Sequence, residues 1–294
     1  MKVVVTGAHG KVGRAASKAL QAAGHVVREV DVTRPIMERK DEGTPEYRQA
    51  DLSNAGDAFS VIYGADAVVH TAAIADPTGN PPHVVFQNNL MATFNVLEAA
   101  VRFGVKRFVY ISSETIPGFS FPEKHFLPTY APVDENHPIT PQDPYALSKY
   151  FGEKLMDAAV ARSDIKCISL RPTWVQLESN YENNLGPQIR DPKPLSPNLW
   201  SYIDCYDLAD AIVLATDSKL PGHEVFYIAS PDNVGGYDFA KVLKEFYGDK
   251  IELKELDRVD ASGISSAKAQ KMLGWKPKRS WRDYLDSNGK MIAK

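Results

Sequence analysis

Tyr145 and Lys149 stand four residues apart in the run Tyr145-Ala146-Leu147-Ser148-Lys149, at the start of a predicted helix. Residues four apart share one helix face, so the Lys149 ammonium can lie near the Tyr145 phenol. A nearby cation stabilises a phenolate and lowers a pKa that is ordinarily ~10, which suits a general acid and base. The spacing is common in unrelated helices, so a half-exposed helix face is the alternative interpretation.

A second chemical signal is the turn Thr6-Gly7-Ala8-His9-Gly10-Lys11-Val12-Gly13, which follows the first predicted strand and precedes a helix rich in alanine. Glycines at 7, 10 and 13 permit a tight turn, close approach of the backbone to a pyrophosphate, and close packing of helix on strand. The free N–H groups and the dipole at a helix start attract phosphates. The turn therefore predicts dinucleotide binding; an ordinary turn before a helix is the alternative.

Asp31 ends the second predicted strand. A carboxylate there accepts hydrogen bonds from both ribose hydroxyls of an adenosine and repels a 2′-phosphate, which predicts NAD. Arg14 and Arg34 keep NADP open as the alternative, because a nearby guanidinium can hold that phosphate.

The elements that must position these residues are short β-branched runs alternating with helical patterns. Strands are predicted at Lys2–Thr6, His25–Val30, Ala67–Thr71, Arg107–Ser112 and Ile165–Leu170, and helices at Lys11–Ala23, Ala55–Tyr63, His83–Phe103 and Pro144–Ala161. The periodicity predicts that Leu90, Phe94, Leu97 and Val101 form one apolar face of the third helix. Apolar strands alternating with helices indicate a doubly wound α/β fold, Rossmann-like, with a parallel sheet.

After residue 171 this alternation weakens. The stretch 171–200 is rich in proline and is predicted to be mostly loop, with helices at Tyr206–Asp217, Tyr237–Tyr247 and Ser265–Leu273 and a strand at Glu224–Ala229. We therefore predict a dinucleotide-binding domain over 1–170 and a smaller substrate-binding lobe over 171–294, at the sheet edge where open α/β folds bind ligands.

Composition excludes several classes of function. The 294 residues carry 34 Lys and Arg against 37 Asp and Glu, a net charge of −3 without blocks of like charge, which argues against a nucleic-acid or membrane-surface partner. No apolar stretch approaches the ~20 residues of a membrane helix. The two cysteines, Cys167 and Cys205, form neither a disulfide framework nor a metal-ligand spacing, so we expect a cytoplasmic protein without a metal.

Further motifs follow in a fixed order along almost the whole chain. They are Ala50-Asp51-Leu52, Val69-His70-Thr71-Ala72-Ala73, Asn88-Asn89-Leu90, Val109-Tyr110-Ile111-Ser112-Ser113, Tyr202-Ile203-Asp204, Asp207-Leu208-Ala209 and Leu273-Gly274-Trp275. Together with the glycine turn and the Tyr–Lys pair, they resemble the extended short-chain dehydrogenase/reductase family, in its NAD-dependent epimerase/dehydratase branch.

This resemblance implies roles for individual residues. Tyr145 is the expected acid and base, Lys149 also bonds the nicotinamide ribose, and Ser113 bonds the reacting oxygen. The expected cofactor-binding set is Gly7, Gly10, Lys11, Val12, Gly13, Asp31, Asp51, Leu52, Thr71, Ala72, Ala73, Asn89, Tyr145, Lys149 and Pro172. The expected substrate-binding set is Ser113, Glu114, Thr115, Tyr145 and Trp174. The family also implies a homodimer through the helices near 90–103 and 144–161, whose apolar faces are otherwise plain core.

Two positions depart from the sugar-nucleotide enzymes of that family. Trp174 occupies the place of an Asn that helps hold a substrate diphosphate, and Trp200 that of a common Arg. A buried diphosphate needs cationic or N–H partners. Arg190, Lys193 and Arg258 would be the substitutes, or else surface charges. We expect two large apolar surfaces here and a substrate smaller than a nucleotide sugar.

The loop 117–143 is rich in proline and aromatic residues and is predicted to cover the substrate site, or alternatively to pack on itself. The predicted function is NAD-dependent hydride transfer at a secondary alcohol or hemiacetal carbon of a sugar, sugar acid or polyol. An epimerase with the same Ser, Tyr and Lys is one alternative, and a non-catalytic dinucleotide-sensing regulator is the other.

Overall fold

The computed structural model describes residues 1–33, 45–192 and 197–292. The chain forms two compact units, each assembled from segments that are distant in sequence. The first contains Met1–Ser112, Asp143–Leu170 and Ala209–Val225; the second contains Ser113–Gln142, Arg171–Leu208 and Phe226–Lys294. The division into a dinucleotide-binding domain over 1–170 and a substrate-binding lobe over 171–294 stays a prediction.

The described strands are β1 Lys2–Thr6, β2 Val26–Asp31, β3 Glu46–Gln49, β4 Ala67–His70, β5 Arg107–Ile111, β6 Tyr130–Ala131, β7 Lys166–Pro172, β8 Val175–Gln176, β9 Ile203–Asp204, β10 His223–Ile228 and β11 Glu252–Leu253. The described α-helices are α1 Lys11–Ala22, α2 Ala55–Ile62, α3 Pro82–Arg102, α4 Pro144–Arg162, α5 Tyr181–Asn184, α6 Gly186–Arg190, α7 Cys205–Asp217, α8 Phe239–Tyr247 and α9 Ala267–Leu273. No described helix is long and apolar enough to cross a membrane.

Seven strands form one sheet in the order β10-β7-β5-β4-β1-β2-β3, and β1 pairs in parallel with both β2 and β4. The chain leaves β1 toward β2 and β3 and later returns to place β4 on the other side. The carboxyl ends of β1 and β4 therefore flank a switch point, where doubly wound sheets bind ligands. The core strands β4 and β5 are buried along their whole length, as expected for a sheet covered by helices.

The helices of the first unit bury small side chains against this sheet. In α3 the buried apolar residues are Val85, Ala92, Val96, Leu97, Ala99 and Ala100. The predicted apolar face was partly wrong, because Phe94 is 40% exposed. The buried side of α3 includes the polar residues Asn89, Thr93 and Asn95, so apolar periodicity alone does not identify it.

One strand of the sheet was missed. Strand β3, with the sequence Glu-Tyr-Arg-Gln, pairs in parallel with β2 at the sheet edge and remains largely exposed. An edge strand needs no apolar face, so its sequence carries no strand pattern.

The second unit has short strands around its own core. Strands β6 and β11 form one parallel pair, β8 and β9 another, and the buried core includes Tyr181, Tyr202 and Trp281. The expectation of a mostly looped 171–200 was partly wrong, since β8, a 3₁₀ turn at Glu178–Asn180, α5 and α6 lie there. These elements are too short for periodicity to reveal.

Candidate active site

The glycine turn after β1 has the geometry of a phosphate cradle. Gly7 has a φ of +66°, and a Cβ there would lie 2.7 Å from the Ala72 backbone. A Cβ at Gly13 would overlap the Gly7 carbonyl, so helix and turn can approach this closely only without a side chain. Gly10 precedes α1 without a side-chain cap, and the first turn of α1 holds no acidic residue. These residues fit a pyrophosphate.

Asp31 lies at the end of β2 and braces this turn. Its Oδ2 accepts the His9 N–H at 2.9 Å, and its Oδ1 accepts the Thr33 N–H and hydroxyl, both at 3.0 Å. Burial acts to raise the pKa of Asp31, but the hydrogen bonds from Thr33 and His9 outweigh it and hold the pKa below its usual value. The carboxylate is thus a fixed negative charge beside the turn. Arg14 is exposed, and Arg34 lies outside the described residues.

The segment after β4 forms the other side of the switch point. The Thr71 hydroxyl donates to the Thr6 carbonyl at 2.6 Å and ties β4 to β1. Ala72 and Ala73 are half-buried, and Ile74 after them bonds the Asn89 side chain in both directions, at 2.8 and 3.0 Å. Asn89 therefore holds this segment in place, which gives it a structural role beside the one that the sequence predicts.

The remaining predicted cofactor residues of the first unit differ in exposure. Leu52 is buried in the core of the unit, whereas Asp51 is exposed and accepts hydrogen bonds from the Ser53 N–H and hydroxyl. Lys11 is exposed and Val12 is half-buried at the start of α1.

Lys149 and Tyr145 lie in the first turns of α4, which Asp143 caps by accepting the Ala146 N–H at 2.8 Å. Lys149 is only 3% exposed, and its Nζ donates to the Ile111 carbonyl at 2.7 Å. The same Nζ is 5.7 Å from the centroid of the half-buried Tyr145 ring. Burial lowers the pKa of Lys149 to about 7. The structure thus brings together a phenol and a buried amine that titrates near neutrality, as acid–base chemistry requires.

In the second unit, the predicted substrate residues cluster around the chain after Ser113. The Thr115 N–H and hydroxyl donate to Ser113 Oγ at 3.2 and 3.0 Å, contacts that leave the Ser113 proton available to a ligand. The Glu114 N–H donates to the carbonyl of Pro172 at 3.2 Å.

The Glu114 carboxyl group is buried. It accepts a hydrogen bond from the Trp174 N–H, while its Oε2 has no hydrogen-bond partner among the described residues. Burial raises the pKa of Glu114 well above its usual value, and the Trp174 bond offsets this only in part.

Trp174 and Trp200, which were expected to offer similar surfaces, differ. Trp174 is partly buried, whereas Trp200 is completely buried against Phe239 and Phe246. The expectation that Trp200 presents a surface to the substrate was wrong, because its indole belongs to the core of the second unit.

The cations considered as phosphate partners have local roles. Arg190 donates to the Asn288 carbonyl and Arg258 pairs with Asp260, while Lys193 lies outside the described residues. In the loop 117–143, Phe119 is buried in the core of the second unit and Phe126 packs against it, although Phe121 is 42% exposed. Part of the loop is therefore packed on its own unit.

Sequence analysis missed several residues that hold Lys149 and its surroundings. The Ser112 hydroxyl donates to Glu153 at 2.7 Å, and Tyr110 lies under Lys149. His70 connects the hydroxyls of Thr6 and Thr93 at 2.7 and 3.1 Å. Polar residues inside predicted buried strands were the available signal, since such groups require partners.

Comparisons with known proteins agree with this geometry. The family model described as "NAD dependent epimerase/dehydratase family" matches residues 3–191. The chain belongs to this family. The predictions of the family, of an NAD-dependent enzyme and of NAD as its cofactor are confirmed by this match.

Individual relatives cover most of the chain. A UDP-glucose 4-epimerase from Lacticaseibacillus casei is 26% identical over 94% of this chain and 92% of its own length. A uronate dehydrogenase from Pseudomonas syringae pv. tomato is 25% identical over 85% of this chain and 82% of its own.

A crystal structure of a short-chain dehydrogenase/reductase superfamily protein from Agrobacterium tumefaciens, with bound NAD, superposes with a TM-score of 0.72. The sequence of the Agrobacterium protein is 24% identical to this chain, and the match covers 96% of this chain and 94% of the Agrobacterium chain. The predicted Rossmann-like α/β fold class is confirmed. Within the described residues, no group of three or more His, Cys, Asp or Glu is placed to hold a metal ion.

Proposed function

We propose that this protein oxidises a secondary alcohol or hemiacetal carbon of a sugar, sugar acid or polyol and transfers the hydride to NAD. The proposal is supported by the family, by relatives whose names specify sugar substrates, and by the buried Lys149 beside Tyr145. NAD supplies the hydride acceptor when it is bound.

The side chains of this protein carry the proton chemistry. Tyr145, as phenolate, removes the hydroxyl proton of the substrate, and the Lys149 ammonium stabilises that phenolate. Ser113 donates a hydrogen bond to the same substrate oxygen. The cradle of Gly7, Gly10 and Gly13 holds the pyrophosphate.

The other assignments concern cofactor and substrate contacts. Lys11, Val12, Asp31, Asp51, Leu52, Thr71, Ala72, Ala73, Asn89 and Pro172 complete the cofactor set in this proposal. Glu114, Thr115 and Trp174 contact the substrate. The buried Glu114 oxygen without a partner supports a polar ligand there, since such an atom costs free energy until it is bonded.

The single observation that carries the proposal is the position of Lys149. An ammonium that is 3% exposed and held by one carbonyl costs folding free energy, because burial removes its hydration. A core position would accommodate an apolar side chain at lower cost. Placing this charge beside a half-buried phenol has a chemical use, because a cation stabilises a phenolate.

A substrate screen tests the proposal directly. Sugars, sugar acids and nucleotide sugars are incubated with NAD while the absorbance of reduced cofactor is followed, with the Tyr145→Phe protein as the control. Saturable NAD reduction that the control lacks is the expected result. Tight NAD binding without turnover of any substrate would instead favour the dinucleotide-sensing alternative.

An epimerase is the second candidate, because a UDP-glucose 4-epimerase matches 94% of the chain. We favour a substrate smaller than a nucleotide sugar, because Trp174 stands where the resemblance has an Asn, and Arg190 and Arg258 have local partners. Efficient turnover of a UDP-sugar, with isomerised product and no net NAD reduction, would overturn this choice.

The proposal includes a homodimer through α3 and α4. Met91, Phe94 and Phe151 are about 40% exposed on these two helices and provide apolar surface that a second copy of the chain would cover. Analytical ultracentrifugation tests this, with a Phe94→Glu, Phe151→Glu variant expected to sediment as a monomer. A cytoplasmic location is also proposed, on the ground of two buried free thiols, Cys167 and Cys205.

A further inference from the structure

Lys149 is in contact with a second tyrosine besides Tyr145. Its Nζ lies over the Tyr110 ring, 5.0 Å from the centroid, closer than the 5.7 Å to the Tyr145 ring. Tyr110 belongs to the buried strand β5 and is 1% exposed. An ammonium within about 6 Å of an aromatic face is attracted by the ring quadrupole, most strongly where water is excluded.

The Tyr110 ring is held in this position from several sides. Its hydroxyl bonds Thr93, and the His70 ring stacks on it at 6.0 Å between centroids with an interplanar angle of 14°. Gly152 lies about one helical turn after Lys149, and the α4 backbone packs directly against the Tyr110 ring at this position. A Cβ at Gly152 would overlap the Tyr110 side chain. The ring therefore cannot move away from Lys149 without disturbing the packing of α4 on β5.

The other groups near Lys149 in the first unit show why the face of the Tyr110 ring matters to the Lys149 charge. The Ile111 carbonyl accepts one of its three N–H donors. His70 is no counter-ion, since burial, with a smaller contribution from Lys149, lowers the pKa of His70 to about 3. Tyr110 itself stays neutral, because burial raises the pKa of its hydroxyl far above the usual value. On α4 the ionisable neighbours are Tyr145 and, one turn further, Glu153, which accepts from Ser112.

We propose that Tyr110 is a positioning residue whose aromatic face keeps the buried Lys149 in its charged form, so that Lys149 can act on Tyr145. The relevant group is the ring and not the hydroxyl. The effect of Lys149 on Tyr145 rests on the proposed function. The effect of Tyr110 on the charge state of Lys149 does not depend on it.

The test follows Lys149 directly, in protein labelled with ¹³C at the lysine Cε, by an NMR titration in which a Lys149→Met sample assigns the signal. Three variants are compared: Tyr110→Phe keeps the ring, Tyr110→Leu removes it, and Phe108→Leu removes another completely buried ring of β5. The Lys149 pKa of the unmodified protein is expected near 7.

We expect the Tyr110→Phe and Phe108→Leu midpoints to stay within about 0.3 pH unit of that value, and Tyr110→Leu to fall by about one unit. Turnover at pH 7 should then fall about fivefold in Tyr110→Leu alone, with the alkaline limb of its pH profile moved down by the same unit. An unchanged midpoint in Tyr110→Leu, or an equal fall in Tyr110→Phe, would overturn the inference. Because the titration needs no substrate, it decides the matter even if no sugar is oxidised.

Discussion

The two units each bury an ionisable side chain, but they treat it differently. In the first unit, Lys149 has the Ile111 carbonyl and two ring faces around its charge. In the second, Glu114 has one backbone donor at one oxygen and no partner among the described residues at the other. The charge of Lys149 thus has a hydrogen-bond acceptor and two aromatic rings close to it in the protein itself, whereas one oxygen of Glu114 has no hydrogen-bond partner among the described residues. In the proposed function, Lys149 supports the proton chemistry and Glu114 binds the substrate, so substitutions at the two positions should have different effects.

The largest effect on turnover is expected in the first unit, for the Tyr145→Phe variant. The variant keeps the ring and removes the group that transfers the proton. We expect turnover to fall by at least ~100-fold, while NAD affinity measured by calorimetry stays nearly unchanged. Tyr150→Phe, on the same helix, is the matched control and should keep normal turnover. Wild-type turnover in Tyr145→Phe would assign the proton chemistry to another group.

A smaller effect, confined to substrate binding, is expected at Glu114. Because its raised pKa favours the neutral acid, Gln preserves both shape and hydrogen-bonding character, whereas Ala removes them. We expect Glu114→Ala to raise the substrate KM about tenfold and Glu114→Gln less than threefold at pH 6–7, with NAD affinity unchanged in both.

The exposed Glu123 on the same loop provides the control, and Glu123→Ala should leave KM unchanged. An unaltered KM in Glu114→Ala would remove Glu114 from the substrate site.

Lys149 and Glu114 should also affect the pH dependence of the free energy of unfolding in opposite directions. Lys149 has a depressed pKa when folded, so its contribution to the free energy of unfolding grows as pH rises from about 7 toward its ordinary 10.5. Glu114 has a raised pKa when folded, so its contribution declines as pH rises above its ordinary 4.5.

Urea denaturation as a function of pH checks both signs. Lys149→Met should be more stable than the unmodified protein at pH 6–7 and lose this advantage at alkaline pH. Glu114→Gln should gain relative stability as pH rises from 4.5. Parallel pH profiles for all three proteins would show that neither burial is costly.

The smallest change is expected in the preference for NAD over NADP, when Asp31 beside the glycine turn is replaced. Asp31→Asn keeps an acceptor for the His9 N–H but removes the charge that would face a 2′-phosphate. We expect the preference for NAD over NADP to narrow by about threefold to tenfold, with Asp31→Ala showing the same change and lower thermal stability as well. Equal affinity of the unmodified protein for both cofactors, measured by calorimetric titration, would contradict the premise.

Local features of this protein could be read from its sequence. The strand-glycine-helix order at Gly7–Gly13 and the four-residue spacing of Tyr145 and Lys149 are properties of neighbouring residues, so no distant contact was needed to see them. The same holds for the buried runs of β4 and β5, whose apolar character is typical of a covered parallel sheet.

Tertiary structure alone decided what each side chain meets. Trp200 became a core residue, Phe94 turned to the surface, and Asp31 became a brace for the glycine turn. Two partners of Lys149, the Ile111 carbonyl and the Tyr110 ring, come from β5, which is distant from α4 in sequence. Among the described residues, Glu114 Oε2 has no hydrogen-bond partner. Burial, hydrogen-bond partners and pKa depend on atoms brought together by folding, whereas spacing and residue type are already present in the chain.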